Sequence, residues 1–254
     1  MWNDINTGAY EGMIAETVSI PKENGESLNV YMSRPLGKES YPAIILVPHM
    51  PGWDEYCRET ARRFTQHGYA VICPDIYQKY GYGNPAEISM KVREAGGVSD
   101  KSVMDDCKAA VAYLKAQHNS NGKVGIIGMC SGGRHAFLAA CTVDGIDAAV
   151  DCWGGGVVGR PATLGLEEDL PPIAYTKDLK CPLLGIFGND DKMPTPEEVD
   201  IHEAELKKFG KDYTFYRYDG AGHGFWYYHN QMYRQEQAMD SLEKVADFFE
   251  KNLK

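Results

Sequence analysis

Short apolar runs alternate along the chain with longer amphipathic stretches, and that rhythm sets the first expectations. Residues 14–20 and 28–33 alternate in character, with the hairpin-type turn signal Asn24-Gly25 between them, so they read as an antiparallel pair. Ala43-Ile44-Ile45-Leu46-Val47 is apolar at every position, as expected of a strand covered on both faces in a parallel sheet. Asp54 is suited to cap a helix reaching about His67, which Gly68 would end. Val71-Ile72-Cys73 predicts a short strand closed by Pro74-Asp75. Residues 78–97 hold four glycines and a proline among charged residues and read as an irregular, lid-like segment. Residues 100–116 carry Val103, Ala110, Val111 and Leu114 at helical spacing. Lys123 to Met129 predicts a strand that runs directly into a helix from Ser131 to about Cys141. Further strands are predicted at 147–153, 182–188 and 213–218, with helices at 196–209 and 232–252.

Strands alternating with helices imply an α/β fold: a mostly parallel central sheet with helices on both faces. At 254 residues, with no composition break, repeat or linker, residues 1–254 read as one domain. In such sheets sites form at the carboxyl ends of the strands. Composition narrows the partners. A net charge of −10 argues against nucleic acid, whose phosphates need a basic surface, and also against anionic membranes. Met1-Trp2-Asn3-Asp4-Ile5-Asn6 lacks the basic and apolar regions of a secretory signal, and no apolar run is long enough to span a bilayer. Seven cysteines, an odd number without CxxC spacing, fit reduced thiols better than a disulfide framework or zinc site. The expected location is cytoplasmic. With no HxxxH pair, phosphate loop or dinucleotide fingerprint, no cofactor or metal is expected.

Candidate chemistry gathers at four strand ends. Gly128-Met129-Cys130-Ser131-Gly132-Gly133, between an apolar strand and a helix, has the form of a nucleophile elbow with cysteine as nucleophile. The turn lifts the thiol above the sheet at a helix N-terminus, where the macrodipole favours thiolate. The competing reading is a structural cysteine in a glycine-rich turn. His223, in Ala221-Gly222-His223-Gly224-Phe225, sits on a glycine-flanked loop after the strand at 213–218 and suits a general base. His118 and His202 read instead as solvated, and His135 as pointing away from the elbow. In Gly188-Asn189-Asp190-Asp191, both aspartates are candidates for the acid that orients the imidazole. Nucleophile, acid and base then follow in α/β-hydrolase order, which is stronger than any one signal. The loop Val47-Pro48-His49-Met50-Pro51-Gly52 would supply one oxyanion donor from the Met50 amide, with the Ser131 amide as the other. His49 reads as a pocket wall, a partner of the thiol or a hydrogen-bonded loop residue. Trp53 and the run Phe225, Trp226, Tyr227 and Tyr228 are candidate pocket walls, against the plainer reading of core packing.

From about Pro42 to Phe249 the chain resembles the dienelactone hydrolase family. The resemblance rests on the elbow, on Gly188-Asn189-Asp190 with Pro194, and on Gly222-His223-Gly224-Phe225. Arg58-Glu59-Thr60, Gly68-Tyr69, Cys73-Pro74-Asp75-Ile76-Tyr77 and Asn121-Gly122-Lys123-Val124-Gly125 support it. It implies the α/β-hydrolase fold and a triad of Cys130, His223 and Asp190. It also implies a small-molecule ester or lactone substrate, cleaved through a thioester acyl-enzyme. Two departures stand out. His49 occupies the place of a family glutamate that holds the cysteine at rest, and Tyr227 occupies the place of an arginine that clamps a substrate carboxylate. Arg93 or Lys91 is a candidate substitute for the clamp. A thiolate leaves a tetrahedral intermediate easily, so the cysteine favours activated esters over amides. The alternative is a catalytically silent protein of the same fold that binds a ligand or senses oxidants through Cys130.

Overall fold

The computed structural model describes residues 12–165 and 169–254. The reading of Met1 to Asn6 therefore falls outside the described residues. Eight strands form one sheet in the order β1-β2-β4-β3-β5-β6-β7-β8. The strands are β1 (Met13–Pro21), β2 (Ser27–Pro35), β3 (Tyr41–Val47), β4 (Ala70–Pro74), β5 (Ser120–Met129), β6 (Ala148–Cys152), β7 (Leu183–Gly188) and β8 (Tyr213–Tyr218). β1 pairs antiparallel with β2, and β2 with β4; every other pairing is parallel. This is the mostly parallel sheet that the alternation implied.

The helices are α1 (Glu55–Gln66), α2 (Pro85–Glu94), α3 (Asp100–Lys115), α4 (Ser131–Thr142), α5 (Pro196–Lys208) and α6 (Gln235–Leu253). They divide between the sheet's two faces. Phe64 of α1 and Val245 and Phe249 of α6 pack with Ile44, Leu46 and Ile127 on one face. Val103 and Leu114 of α3, Phe137 of α4 and Leu206 of α5 pack with Ala43, Ile45, Val47 and Ile126 on the other. Alternate residues of β3 thus point into two different cores, which is why its sequence shows no period of two. Fully burying each such Ile or Leu contributes about 1.5–3 kcal/mol. Glycine-rich residues 78–97 are more ordered than expected. They hold a 3-10 turn at Gln78–Tyr80 and then α2. Asn84 accepts the Ala86 N–H as N-cap and Pro85 stands in the first turn, a start signal that the flanking glycines masked. Among the described residues, no helix is long and apolar enough to cross a membrane.

Candidate active site

The carboxyl ends of β3, β5, β7 and β8 bring the candidate residues together. At the end of β5 the chain turns at Cys130, whose φ of 57° and ψ of −125° lie in a sparsely populated region for a side-chain-bearing residue. Its N–H donates to Cys152 O at 3.0 Å, and its carbonyl accepts from Gly133 and Arg134, opening α4. The glycines of the motif are steric requirements. A Cβ on Gly128 would sit 2.0 Å from Gly132 O, and one on Gly132 would sit 2.3 Å from Val47 O. One on Gly133 would sit 2.4 Å from an Asp151 carboxylate oxygen. Cys130 is half-buried, whereas the other six cysteines are buried, and all seven are free thiols.

The acid and base loops are stitched to each other. Asn189 N–H donates to Tyr218 O and Asp190 N–H to Ala221 O, each at 2.9 Å. A Cβ on Gly188 would strike Ala221 O at 2.2 Å, so only glycine permits this approach. His223 Nδ1 lies 2.9 Å from Asp191 Oδ2. A carboxylate only accepts, so Nδ1 carries the proton and Nε2 is left for the thiol. Asp191 is nearly fully buried, at 2 % side-chain exposure, and its Oδ1 accepts the Met193 N–H at 2.9 Å. Asp190 is exposed. The expectation of Asp190 is therefore corrected: the carboxylate paired with His223 is Asp191. The Asp191 N–H bonds Gly188 O, closing a turn with Asn189 and Asp190 at its tip. That turn sends the first aspartate to solvent and returns the second to the sheet.

Burial opposes a charged imidazole at His223, but hydrogen bonds to Asp191 and Cys130, with the charges of both, outweigh it and raise its pKa to about 10. The balance favours the protonated imidazole at His223. Ser131 and Gly132 open α4 ahead of its first carbonyl acceptor, Cys130 O, so their N–H groups have no partner within the helix. Met50 lies on the loop after β3, where the tight turn from Gly52 N–H to His49 O, 2.6 Å, folds the chain back.

Five further expectations fare differently. His49 is buried, with Nε2 2.8 Å from Asp54 Oδ2 and its ring centroid 4.7 Å from that of Tyr227. Burial disfavours its cation, yet hydrogen bonds to Asp54 and Cys57 raise its pKa to about 10. Tyr227 is buried between His49, Tyr56 and Trp153, close enough to Cys130 to feel its charge. Trp53 donates its indole N–H to Cys73 O and lines a cleft with Pro51, Asp75 and Tyr77. Arg93, exposed on α2, places Nε 3.3 Å from Met50 Sδ on the loop after β3. Trp226 is buried, donates to Ser241 Oγ on α6 at 2.7 Å, packs edge-on against Trp153 and lines a separate cleft with Tyr56 and Tyr228.

The expectation for His202 also changes. It is buried on α5 against Phe137 and Phe215, and desolvation lowers its pKa to about 3. His135 does point away, to Asp100 at 2.9 Å. Two residues near the thiol were not singled out in the sequence. Tyr77 contacts Ser131 and feels the charge of Cys130, and Trp153, at φ 42°, places its ring 6.5 Å from His223. The triple glycine Gly154-Gly155-Gly156 directly after a strand was the available signal for Trp153.

Comparison with known proteins follows the same lines. The sequence profile of the dienelactone hydrolase family matches residues 28–253. The chain belongs to the dienelactone hydrolase family. A Methylorubrum extorquens protein, provisionally named carboxymethylenebutenolidase, is 31 % identical over 94 % of this chain and 81 % of its own length. The carboxymethylenebutenolidase of Pseudomonas putida is 29 % identical over 93 % of this chain and 96 % of its own. The crystal structure of a provisionally assigned dienelactone hydrolase from Klebsiella pneumoniae superposes with a TM-score of 0.84 at 28 % identity. That match covers 94 % of this chain and 99 % of the other. This dienelactone hydrolase family member thus has the α/β-hydrolase fold and belongs with the ester- and lactone-cleaving hydrolases.

Proposed function

We propose that the protein hydrolyses an activated ester or lactone with Cys130 as nucleophile, His223 as acid and base, and Asp191 as the group that orients it. The observation that carries this reading is the strained elbow at Cys130 facing an imidazole whose other nitrogen is held by a buried carboxylate. The names of the Methylorubrum and Pseudomonas relatives support a lactone as the substrate class.

The steps follow from the proton inventory. The Cys130 thiolate forms an S–C bond to the carbonyl carbon, and the carbonyl electron pair moves to oxygen, toward the Met50 and Ser131 amides. As the intermediate collapses, the C–O bond breaks and the leaving oxygen takes the proton from His223 Nε2. Water then attacks the thioester and gives its proton to the now neutral His223. The C–S bond breaks, returning thiolate and imidazolium. An enolate or aryloxide can compete with the thiolate as leaving group, whereas an amide nitrogen competes poorly, so activated esters suit this site. Arg93, beside Met50, supplies a cation at the mouth for an anionic acyl group. It takes the part of the arginine whose family place is held by Tyr227.

Hydrolysis of p-nitrophenyl acetate and of an enol lactone by the wild type, Cys130→Ala and His223→Ala tests the proposal. The expected result is turnover in the wild type that vanishes in both variants, with a thioester adduct detectable by mass spectrometry. Equal rates in all three would overturn it and make the elbow a structural turn.

A further inference from the structure

Beneath the oxyanion loop lies a second set of chemistry-bearing side chains that the hydrolytic steps do not use. His49 Nε2 is 2.8 Å from Asp54 Oδ2, and the Cys57 thiol lies beside the same imidazole. One donor atom from each residue, nitrogen, oxygen and sulfur, lies within 4.8 Å of the others. His49 and Cys57 are buried, while the Asp54 side chain keeps 19 % exposure, so the cluster opens to solvent on its carboxylate side. Local sequence builds this arrangement. Gly52, at φ 100°, allows the turn that folds residue 54 back toward residue 49. Asp54 caps α1 with Oδ1, accepting the Cys57 N–H at 2.9 Å, which aims Oδ2 at the imidazole. A second buried thiol, Cys73 on β4, packs near Cys57 in the same core.

We propose that His49, Asp54 and Cys57 form a site for a divalent metal ion of the zinc class. Imidazole, carboxylate and thiolate are a donor set that zinc takes, whereas magnesium and calcium select oxygen alone. Bonds of about 2.0–2.3 Å at tetrahedral angles separate ligand atoms by roughly 3.2–3.7 Å. The nitrogen–oxygen pair therefore opens by about half an ångström to admit the ion, a side-chain swing. The cap bond from Cys57 N–H to Asp54 Oδ1 holds the carboxylate in place, as outer partners of metal ligands do. Charges balance: the metal displaces the thiol proton and the proton shared by His49 and Asp54, leaving one carboxylate and one thiolate against a dication. Through the His49–Tyr227 ring contact the site backs onto the Cys130 pocket, and its occupation pins the Met50 loop to α1.

The test uses untagged full-length Cys130→Ala protein, so that the more accessible thiol does not compete, titrated with cobalt(II). The expected result is a sulfur-to-cobalt charge-transfer band saturating at one ion per chain and displaced by zinc. The further variant Cys57→Ser should abolish the band, and His49→Gln should weaken binding by about tenfold or more. X-ray absorption of the zinc-loaded Cys130→Ala protein should show one sulfur among nitrogen and oxygen ligands, a readout that needs no second substitution. Absence of the band at saturating cobalt, its survival in Cys57→Ser, or a sulfur-free shell would overturn the proposal. Each outcome is legible whether or not Cys130 proves to be the nucleophile.

Discussion

Replacing Asp191 with Asn separates an orienting acid from a mere turn residue. The carboxylate accepts two hydrogen bonds, one from His223 Nδ1 and one from the Met193 N–H, each at 2.9 Å. An asparagine that keeps its oxygen on Met193 N–H must turn its NH2 toward His223. Two donors then face each other, and Nδ1 must give up its proton, which leaves the hydrogen on Nε2 and blocks proton transfer from the thiol. The loss has two parts. A hydrogen bond to a charged group contributes about 1.5–3 kcal/mol, or roughly 10- to 150-fold in rate. The wrong tautomer adds to this, and in serine-protease triads the same exchange costs about 10⁴-fold in kcat. We expect kcat/KM for p-nitrophenyl acetate to fall by about 10²- to 10⁴-fold. Asp190→Asn, altering an exposed side chain, should stay within about twofold. The rate of Cys130 alkylation by iodoacetamide at neutral pH reads the thiolate directly and should fall in Asp191→Asn alone. Normal turnover in Asp191→Asn with a crippled Asp190→Asn would refute the assignment.

Three shorter predictions rest on the same geometry. Because the pKa of His223 is raised above its ordinary value, to about 10, its imidazolium stabilises the folded state fully below pH 6.5, and this is lost as pH rises through the folded value. The wild-type kcat/KM should therefore show an alkaline limb near pH 10, which a pH–rate profile on a neutral ester will reveal; a limb near 7 contradicts the paired imidazolium. Arg93→Gln should raise KM about fivefold for a carboxylate-bearing ester, the value of an exposed ion pair near 1 kcal/mol, with a neutral ester unaffected. Equal effects on both substrates would remove Arg93 from recognition. Gly132→Ala drives a Cβ to 2.3 Å from Val47 O and should destabilise by about 3 kcal/mol in urea titration. Gly122→Ala, with open space around it, should cost only about 1 kcal/mol from its positive φ; similar losses would mean that the elbow tolerates a side chain.

Strand and helix periodicity is a local property, and the elements that depended on it were legible. β3 reads as apolar throughout because both its faces meet helices, and the hairpin of β1 and β2 is announced by Asn24-Gly25. α2 was hidden because glycines at 81, 83, 96 and 97 dominate its surroundings, although Asn84-Pro85 carried its start. His202 misled for a different reason. Charged neighbours along α5 suggested solvent, but only the packing of α5 against the sheet decides which side of the helix is inside.

The site shows the same division between what spacing records and what only the third dimension decides. The motif at Cys130 is legible because its glycines are demanded by backbone atoms less than 3 Å away, and at His223 because Gly224 holds a positive φ with the Tyr227 ring 2.6 Å from where a Cβ would sit, so the constraint is written into the chain itself. Nothing comparable distinguishes Asp190 from Asp191, since both tolerate the turn and differ only in which way it delivers them. The decision comes from two non-local bonds, Asp190 N–H to Ala221 O and Asp191 Oδ2 to His223, which exist only once β7 and β8 are paired. His49 follows the same logic. Its replacement of a family glutamate is visible in the sequence, but its partner is an N-cap five residues on, which a folded turn alone brings within reach. Where the family glutamate would present a negative charge to the resting cysteine, this chain buries an imidazole whose charge is already matched by Asp54. On the proposed mechanism the proton of Cys130 then passes to and from His223, and the His223–Asp191 bond is what holds that imidazole in place.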